Sequence, residues 1–261
     1  MKLFDAHIYS DTRSDSDLAN MAFFGVSDVL TCAHHPRPFQ TALELGHHFE
    51  QLIVTEAERL RRHGITPHVA IGVHPKAQPI RAHHELWRDL PQIWREPEVV
   101  AVGELGVLEG TAQEWGLVER QIRLLAQSGL DLPIIFAMPR RDDARWRRGC
   151  IERLTAILEA HGLGPGRVVL QHIDWLTIDA ALEAGYWCGV SIHPFFQSLE
   201  QAVTLAQHHN RRRLIANSAL RDGPADILAL PKVTVALAEA GIEAADIQRI
   251  CLGAAKEVFG G

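Results

Sequence analysis

Two tyrosines and four cysteines are all that these 261 residues contain of either type. Cys32, Cys150, Cys188 and Cys251 stand far apart and form no Cys-x-x-Cys pair, which argues against a disulfide framework and for reduced, buried thiols. No apolar run approaches the ~18–20 residues of a membrane helix. The chain enters an apparent strand at once, leaving no room for the charged and apolar regions of a secretory signal. A cytoplasmic protein is the expectation. Positive charge is not in excess: the formal net charge is -6, which argues against a general nucleic-acid-binding surface. No linker, low-complexity tract or composition shift divides the chain, so one domain spanning residues 1–261 is expected. Nothing in the sequence speaks to oligomeric state.

Histidine, by contrast, is abundant, with 15 in the chain. Several form doublets, namely His34-His35, His47-His48, His83-His84 and His208-His209. Neighbouring helical residues diverge by ~100°, so a doublet rarely gives both rings to one ion, and these read as surface decoration.

Short Val/Ile/Leu-rich runs alternate with longer amphipathic stretches. The predicted strands are KLFDAHIY, DVLTCA, HVAIGV, VVAVGE, LPIIFA, RVVLQH, YWCGVSI and RLIAN. Helices are predicted over about 15–24, 41–63, 112–128, 145–161, 177–184 and 199–209, and from about Lys232 and Glu243 onward. Strands that are continuously apolar are buried on both faces. Such strand–helix units, repeated about eight times, predict an α/β fold of the single-domain TIM (β/α)8 barrel type. A doubly wound open sheet shares the alternation, but no Gly-rich fingerprint follows the first strand.

Barrel active sites lie at the C-terminal ends of the strands. Here those ends read Asp5-Ala6-His7-Ile8-Tyr9, His34-His35-Pro36, Val73-His74-Pro75, Gly103-Glu104-Leu105-Gly106, Ala137-Met138-Pro139, Gln171-His172-Ile173-Asp174, Ile192-His193-Pro194 and Asn217-Ser218-Ala219. Alternation would place residues 5, 7 and 9 on one face. Histidine and glutamate converging from several strands suit Zn²⁺ or Mn²⁺, which makes His7, Glu104 and His172 the candidate ligands. A purely hydrogen-bonded polar network is the other reading.

In this order and at these spacings the motifs resemble the TatD-like metal-dependent hydrolases of the amidohydrolase superfamily, most of all their EboC-like branch. The resemblance runs over nearly the whole chain and includes the opening Asp-x-His, Gly72-Val73-His74-Pro75, the turn at Glu104, Gln171-His172, Asn217-Ser218-Ala219 and the helix from Cys251 to Phe259. It implies a hydrolase holding one or two divalent ions, with His7, Glu104 and His172 as ligands and His74 near the substrate. Three groups depart from the pattern: Tyr9 replaces a second histidine, Ala137 offers no ligand, and Ser218 replaces an aspartate that would take a proton from water. A phenol is a poor ligand unless the ion lowers its pKa, and serine is no base at neutral pH. The expectation is one Zn²⁺ or Mn²⁺ and cleavage of a small ester, amide or phosphoester. The alternative is a catalytically silent barrel that binds a metabolite or partner protein.

Asp222 and Asp174 are the carboxylates that could replace the lost base, and Asp5 is expected to orient a ligand histidine. For substrate contact the candidates are His193, Tyr9 and the Arg140-Arg141 pair, whose guanidinium forks suit phosphate or carboxylate. Arg145, Arg147 and Arg148 cluster with that pair and read as part of the same anion contact or as a solvated helix start, Trp175 as a roof to the pocket or as core, and Arg211-Arg212-Arg213, on the opposite, structural face, as structural or as an interaction patch.

Overall fold

A computed structural model of the chain describes residues 1–34, 38–79 and 84–260; His35 and His83, each half of a doublet, lie outside them. Eight strands form one sheet in sequence order: β1 Leu3–Ile8, β2 Val26–Cys32, β3 Thr66–Ala70, β4 Val99–Gly106, β5 Ile134–Ala137, β6 Val168–Gln171, β7 Trp187–Ser191 and β8 Leu214–Asn217. Every neighbouring pair is parallel. The ring closes just past β8, where Ile8 bridges Leu220 and the Tyr9 N–H donates to the Leu220 carbonyl at 2.8 Å. This is the expected TIM barrel.

Alternation along the strands sorts the apolar side chains into two layers. One cluster gathers Phe4, Leu30, Cys32, Ala70, Ala101, Ile135, Val169 and Ile215 in the barrel, with Phe259 below them. The other sets Val29, Val69, Val102, Phe136, Leu170 and Leu214 against the helices. In β1 the period breaks, because the β1–β2 register shifts between Asp5 and Ile8. Phe4 and Ala6 therefore share the interior with Tyr9. Strict sharing of one face by residues 5, 7 and 9 does not hold.

Eleven helices are described: α1 Asp15–Phe23, α2 Ala42–Glu50, α3 Ala57–Arg62, α4 His84–Ile93, α5 Ala112–Ser128, α6 Ala144–Ala160, α7 Ile178–Glu183, α8 Leu199–His208, α9 Ala229–Glu239, α10 Ala244–Gln248 and α11 Ala254–Phe259. Capping boxes at Ser14/Asp17, Thr111/Glu114 and Ser198/Gln201 start α1, α5 and α8. The single helix expected over 41–63 is divided by a wider π turn at Gln51–Glu56. Helix α4 was not expected: Pro91 in its last turn reads as a breaker, but Leu86, Trp87 and Leu90 bury one face and hold it. No described helix is long and apolar enough to cross a membrane.

At the bottom of the barrel, Asp28 accepts from Lys256 Nζ and from Ser27 Oγ, and lies 3.2 Å from His68 Nε2. Arg211–Arg213 form a turn before β8, as expected, with Arg211 paired to Asp246 at 2.7 Å. All four cysteines are free and buried.

Candidate metal centre

The parallel topology carries the ends of β1, β4 and β6 to one point at the top of the barrel. Close approach makes this geometry depend on glycine, since a Cβ on Gly103 would lie 2.7 Å from Ile135 Cβ. Glu104, which follows it, sits inside β4, as the predicted strand VVAVGE had it, and β4 runs on to Gly106 in place of the turn that the resemblance implied. Its Oε1 lies 3.4 Å from His7 Nε2 and 3.9 Å from His172 Nε2. All three side chains are buried, and their ligand-type atoms fall within 4.8 Å of one another.

Each of the three is held differently. His172 has φ +63°, a left-handed conformation uncommon for histidine, and its carbonyl accepts from Arg147 Nη2 at 3.2 Å. Its Nδ1 is 2.8 Å from Ser191 Oγ. With Nδ1–H donating to that hydroxyl, Nε2 keeps its lone pair. His7, by contrast, has both ring nitrogens buried with no hydrogen-bond partner; its 3.4 Å approach to Glu104 lacks hydrogen-bond alignment. Buried polar atoms are nearly always satisfied. Glu104 gives its other oxygen, Oε2, to the Tyr9 hydroxyl, which donates.

Electrostatics follow from burial and neighbours. Burial alone would raise the Glu104 carboxyl, but His7, and then His74 and His34, hold it well below the usual range. Burial, then the Glu104 charge, pushes the Tyr9 phenol well above its ordinary value, so it remains a donor. Burial lowers the ordinary 6.5 of His34 to about 3 and of His193 to about 4, and moves His74 and His172 the same way. The centre thus offers a carboxylate held ionised and, at His172, an imidazole that burial keeps neutral, the forms that ligation requires. The residues present fit a divalent ion.

The other predicted residues divide. His74 lines a cavity of about 300 Å³ over Glu104, together with Tyr9, His34, Lys76, Arg140 and Arg221. Its Nδ1 accepts from the Lys76 N–H at 3.2 Å, which leaves a proton on Nε2 in the neutral ring. His193 is arranged alike, accepting from the Phe195 N–H at 3.0 Å with Nε2 buried and unpartnered. Arg140 and Arg141 line an adjoining cavity of about 600 Å³. Asp174 faces that cavity but is engaged by Arg147 Nη1, by the Leu176 N–H and by Thr177 Oγ1. Asp222 is exposed on the loop after β8, outside the walls of both cavities. Asp5 bonds no histidine ring: it accepts from the Ser218 hydroxyl, from the Ser218 N–H at 3.0 Å and from the His7 backbone N–H. Trp175 does not roof the pocket; it is 44% exposed and packs on His208 and His209.

Sequence reasoning missed Arg221 and Lys76 and left Arg147 between an anion contact and a solvated helix start. Arg221 lies 5.7 Å over the Tyr9 ring, and Arg147 is buried rather than solvated. The alternation of polar and apolar residues at the start of α6, with Cys150 and Ile151 buried beside Arg147, was the available signal.

No protein-family model matches the chain. An uncharacterized metal-dependent hydrolase of Methanocaldococcus jannaschii is 29% identical over 242 residues, covering 92% of this chain and 93% of the relative. The crystal structure of a TatD-like protein from Archaeoglobus fulgidus superposes with a TM-score of 0.81 at 24% identity, over 99% of this chain and all of that one. A β-aspartyl dipeptidase from Fervidobacterium islandicum AW-1 gives a TM-score of 0.67 at 18% identity, over 99% of this chain and 75% of the dipeptidase. The structural likenesses establish the barrel.

Proposed function

We propose that this chain is a metal-dependent hydrolase of the TatD and amidohydrolase type, holding one divalent ion, Zn²⁺ or Mn²⁺, on His7, Glu104 and His172. The observation that carries this reading is His7, whose two buried nitrogens have no hydrogen-bond partner beside an ionised carboxylate and a neutral imidazole. The 29% identical relative, itself named a metal-dependent hydrolase, supports it. Glu104 supports one ion rather than two: Oε1 faces both histidines, whereas Oε2 is taken by Tyr9, and Ala137 offers no further donor.

When bound, such an ion supplies Lewis-acid polarisation and water activated near neutral pH. The chain's own groups do the rest. His74 Nε2–H donates to a substrate oxygen in the cavity over Glu104, and His193 Nε2–H is a second unspent donor. Arg140 and Arg221 set the orientation of the substrate, a small ester, amide or phosphoester. A second reading, a barrel that binds a metabolite without turning it over, draws on Ser218: its hydroxyl is spent on Asp5, so that position supplies no base.

Elemental analysis of purified protein, before and after Zn²⁺ or Mn²⁺ reconstitution, decides between them together with hydrolysis assays. The wild type is expected to retain about one ion per chain, lost in Glu104→Gln and His172→Ala along with turnover. Two ions would overturn the mononuclear site, and no retained ion the metal reading. Equal hydrolysis by wild type and Glu104→Gln would remove the enzyme.

A further inference from the structure

The barrel mouth holds more positive charge than the metal ligands need. Lys76, Arg140 and Arg221 line the cavity over Glu104, and Arg140 continues into the wall of the 600 Å³ cavity with Arg141 and Arg147. Among the described residues, Lys76, Arg140, Arg141 and Arg221 form no ion pair, although the chain's formal net charge is -6. Aromatic faces hold the two surface arginines instead. The Arg140 guanidinium lies 5.4 Å over Phe195 and 5.8 Å over Phe196, and that of Arg141 lies 4.8 Å over Trp146. A guanidinium held by its face keeps its N–H edges free to donate. Deeper in the same cavity, Arg147 is 4% exposed and bonded to Asp174 and the His172 carbonyl, yet its Nε is buried without a partner; so is Gln197 Oε1. The cavity adjoins the one over the metal centre, since Met138, Arg140, His172 and Phe196 line both spaces. Phe196 lies flat against His172, with ring centroids 3.6 Å apart.

We propose that the 600 Å³ cavity is a subsite for the non-reacting end of the substrate, and that this end carries an anionic group, carboxylate or phosphate, received by Arg140 and Arg141. The proposal rests on the hydrolase reading for what happens at the other end. It does not rest on the ion for binding. Two unpaired arginines already fixed on aromatic rings lose little freedom when an anion arrives. The buried Gln197 Oε1 adds an acceptor, which favours a substrate that also offers a hydroxyl or amine there.

Calorimetric titration of metal-stripped, full-length protein tests this with three probes: phenyl phosphate, benzoate and the neutral benzyl alcohol. Wild type is expected to bind at least one anion, and the tighter of the two names the group. Benzyl alcohol should not bind at the same millimolar concentrations. Arg141→Gln and Arg140→Gln, both at exposed positions and so expected to fold, should weaken the anion by about tenfold or more, and rising salt should weaken it further. His7→Ala should bind it as wild type does. Equal affinity of the arginine variants and wild type, no anion binding at all, or equal binding of benzyl alcohol would each overturn the subsite. The metal reading fails separately, by ion content alone, whatever the titrations show.

Discussion

The hydrogen bond from Tyr9 to Glu104 is the bond most open to quantitative test. Both residues are nearly inaccessible, at 4% and 2% exposure, although both border the cavity over Glu104. Tyr9→Phe keeps the ring, which stacks on His34 with centroids 4.3 Å apart, and deletes only the O–H. A hydrogen bond to a charged acceptor contributes about 1.5–3 kcal/mol. For a domain of this size that corresponds to a fall of roughly 3–12 °C in melting temperature. Glu104→Gln gives no simple reading alone, because it also removes the cost of burying a charge. The informative quantity is the coupling between the two substitutions, measured by urea unfolding of metal-stripped wild type, both single variants and the double variant. Coupling of about 1.5–3 kcal/mol is expected. A value below about 0.5 kcal/mol, within the additivity of independent sites, would refute the view that Tyr9 holds Glu104 Oε2. Ion content of Tyr9→Phe should stay at that of wild type, since phenylalanine adds no ligand.

Burial would raise Asp28, but His68, Lys256 and Ser27 hold its carboxyl well below the ordinary 3.8. Its stabilisation is therefore complete above about pH 4–5 and is lost as pH falls below that. Asp28→Asn should melt lower than wild type at pH 7, with the gap closing in acid in a pH series of thermal melts. Asp11 has the opposite sign: burial, then the charge of Glu56, raises it to about 6. The stability linked to its protonated form is full below about pH 4 and lost as pH rises through about 6, so Asp11→Asn should gain on wild type between those values and keep the advantage at pH 8. A Cβ on Gly189 would meet Gln171 Oε1 at 1.9 Å, and Gln171 is fixed by Asn217 Nδ2 at 2.9 Å. Gly189→Ala should cost about 1–3 kcal/mol in chemical denaturation. Gly46→Ala, in helix α2 with open space around it, should gain about 0.5–1 kcal/mol.

The strands were legible because a strand buried on both faces must be apolar throughout, and Val99–Val102 or Ile134–Ala137 could serve little else. The strand-end histidines were legible because chain order fixes which end of a parallel barrel they occupy. The partners of those groups were not. Asp5 finds Ser218 rather than the His7 ring, across 213 residues of chain, because β1 lies next to β8 at the closure of the barrel. Arg147 looks like one of several surface arginines, and its burial depends on where Asp174 and the His172 carbonyl come to rest. Helix α4 was hidden by Pro91, which removes one backbone hydrogen bond near its end, and the buried face of Leu86, Trp87 and Leu90 offsets that loss.

The three departures from the resembled pattern make sense as one arrangement. Around Glu104 the polar groups fall on two sides. On one side Tyr9 donates to Oε2, Arg221 covers the Tyr9 ring, and Ser218 is closed upon Asp5; the tyrosine and serine hydroxyls there are spent within the protein. On the other side Oε1 faces His7 and His172, and the imidazole of His7 has no hydrogen-bond partner. Decay of an abandoned site would leave unsatisfied atoms wherever a ligand had been lost. Here positions 9 and 218 are satisfied, and the unpartnered buried nitrogens nearest Glu104 belong to His7 and His34. That pattern supports the proposed one-ion site over a barrel without metal, and His7, with both ring nitrogens unpartnered, is the residue on which the distinction turns.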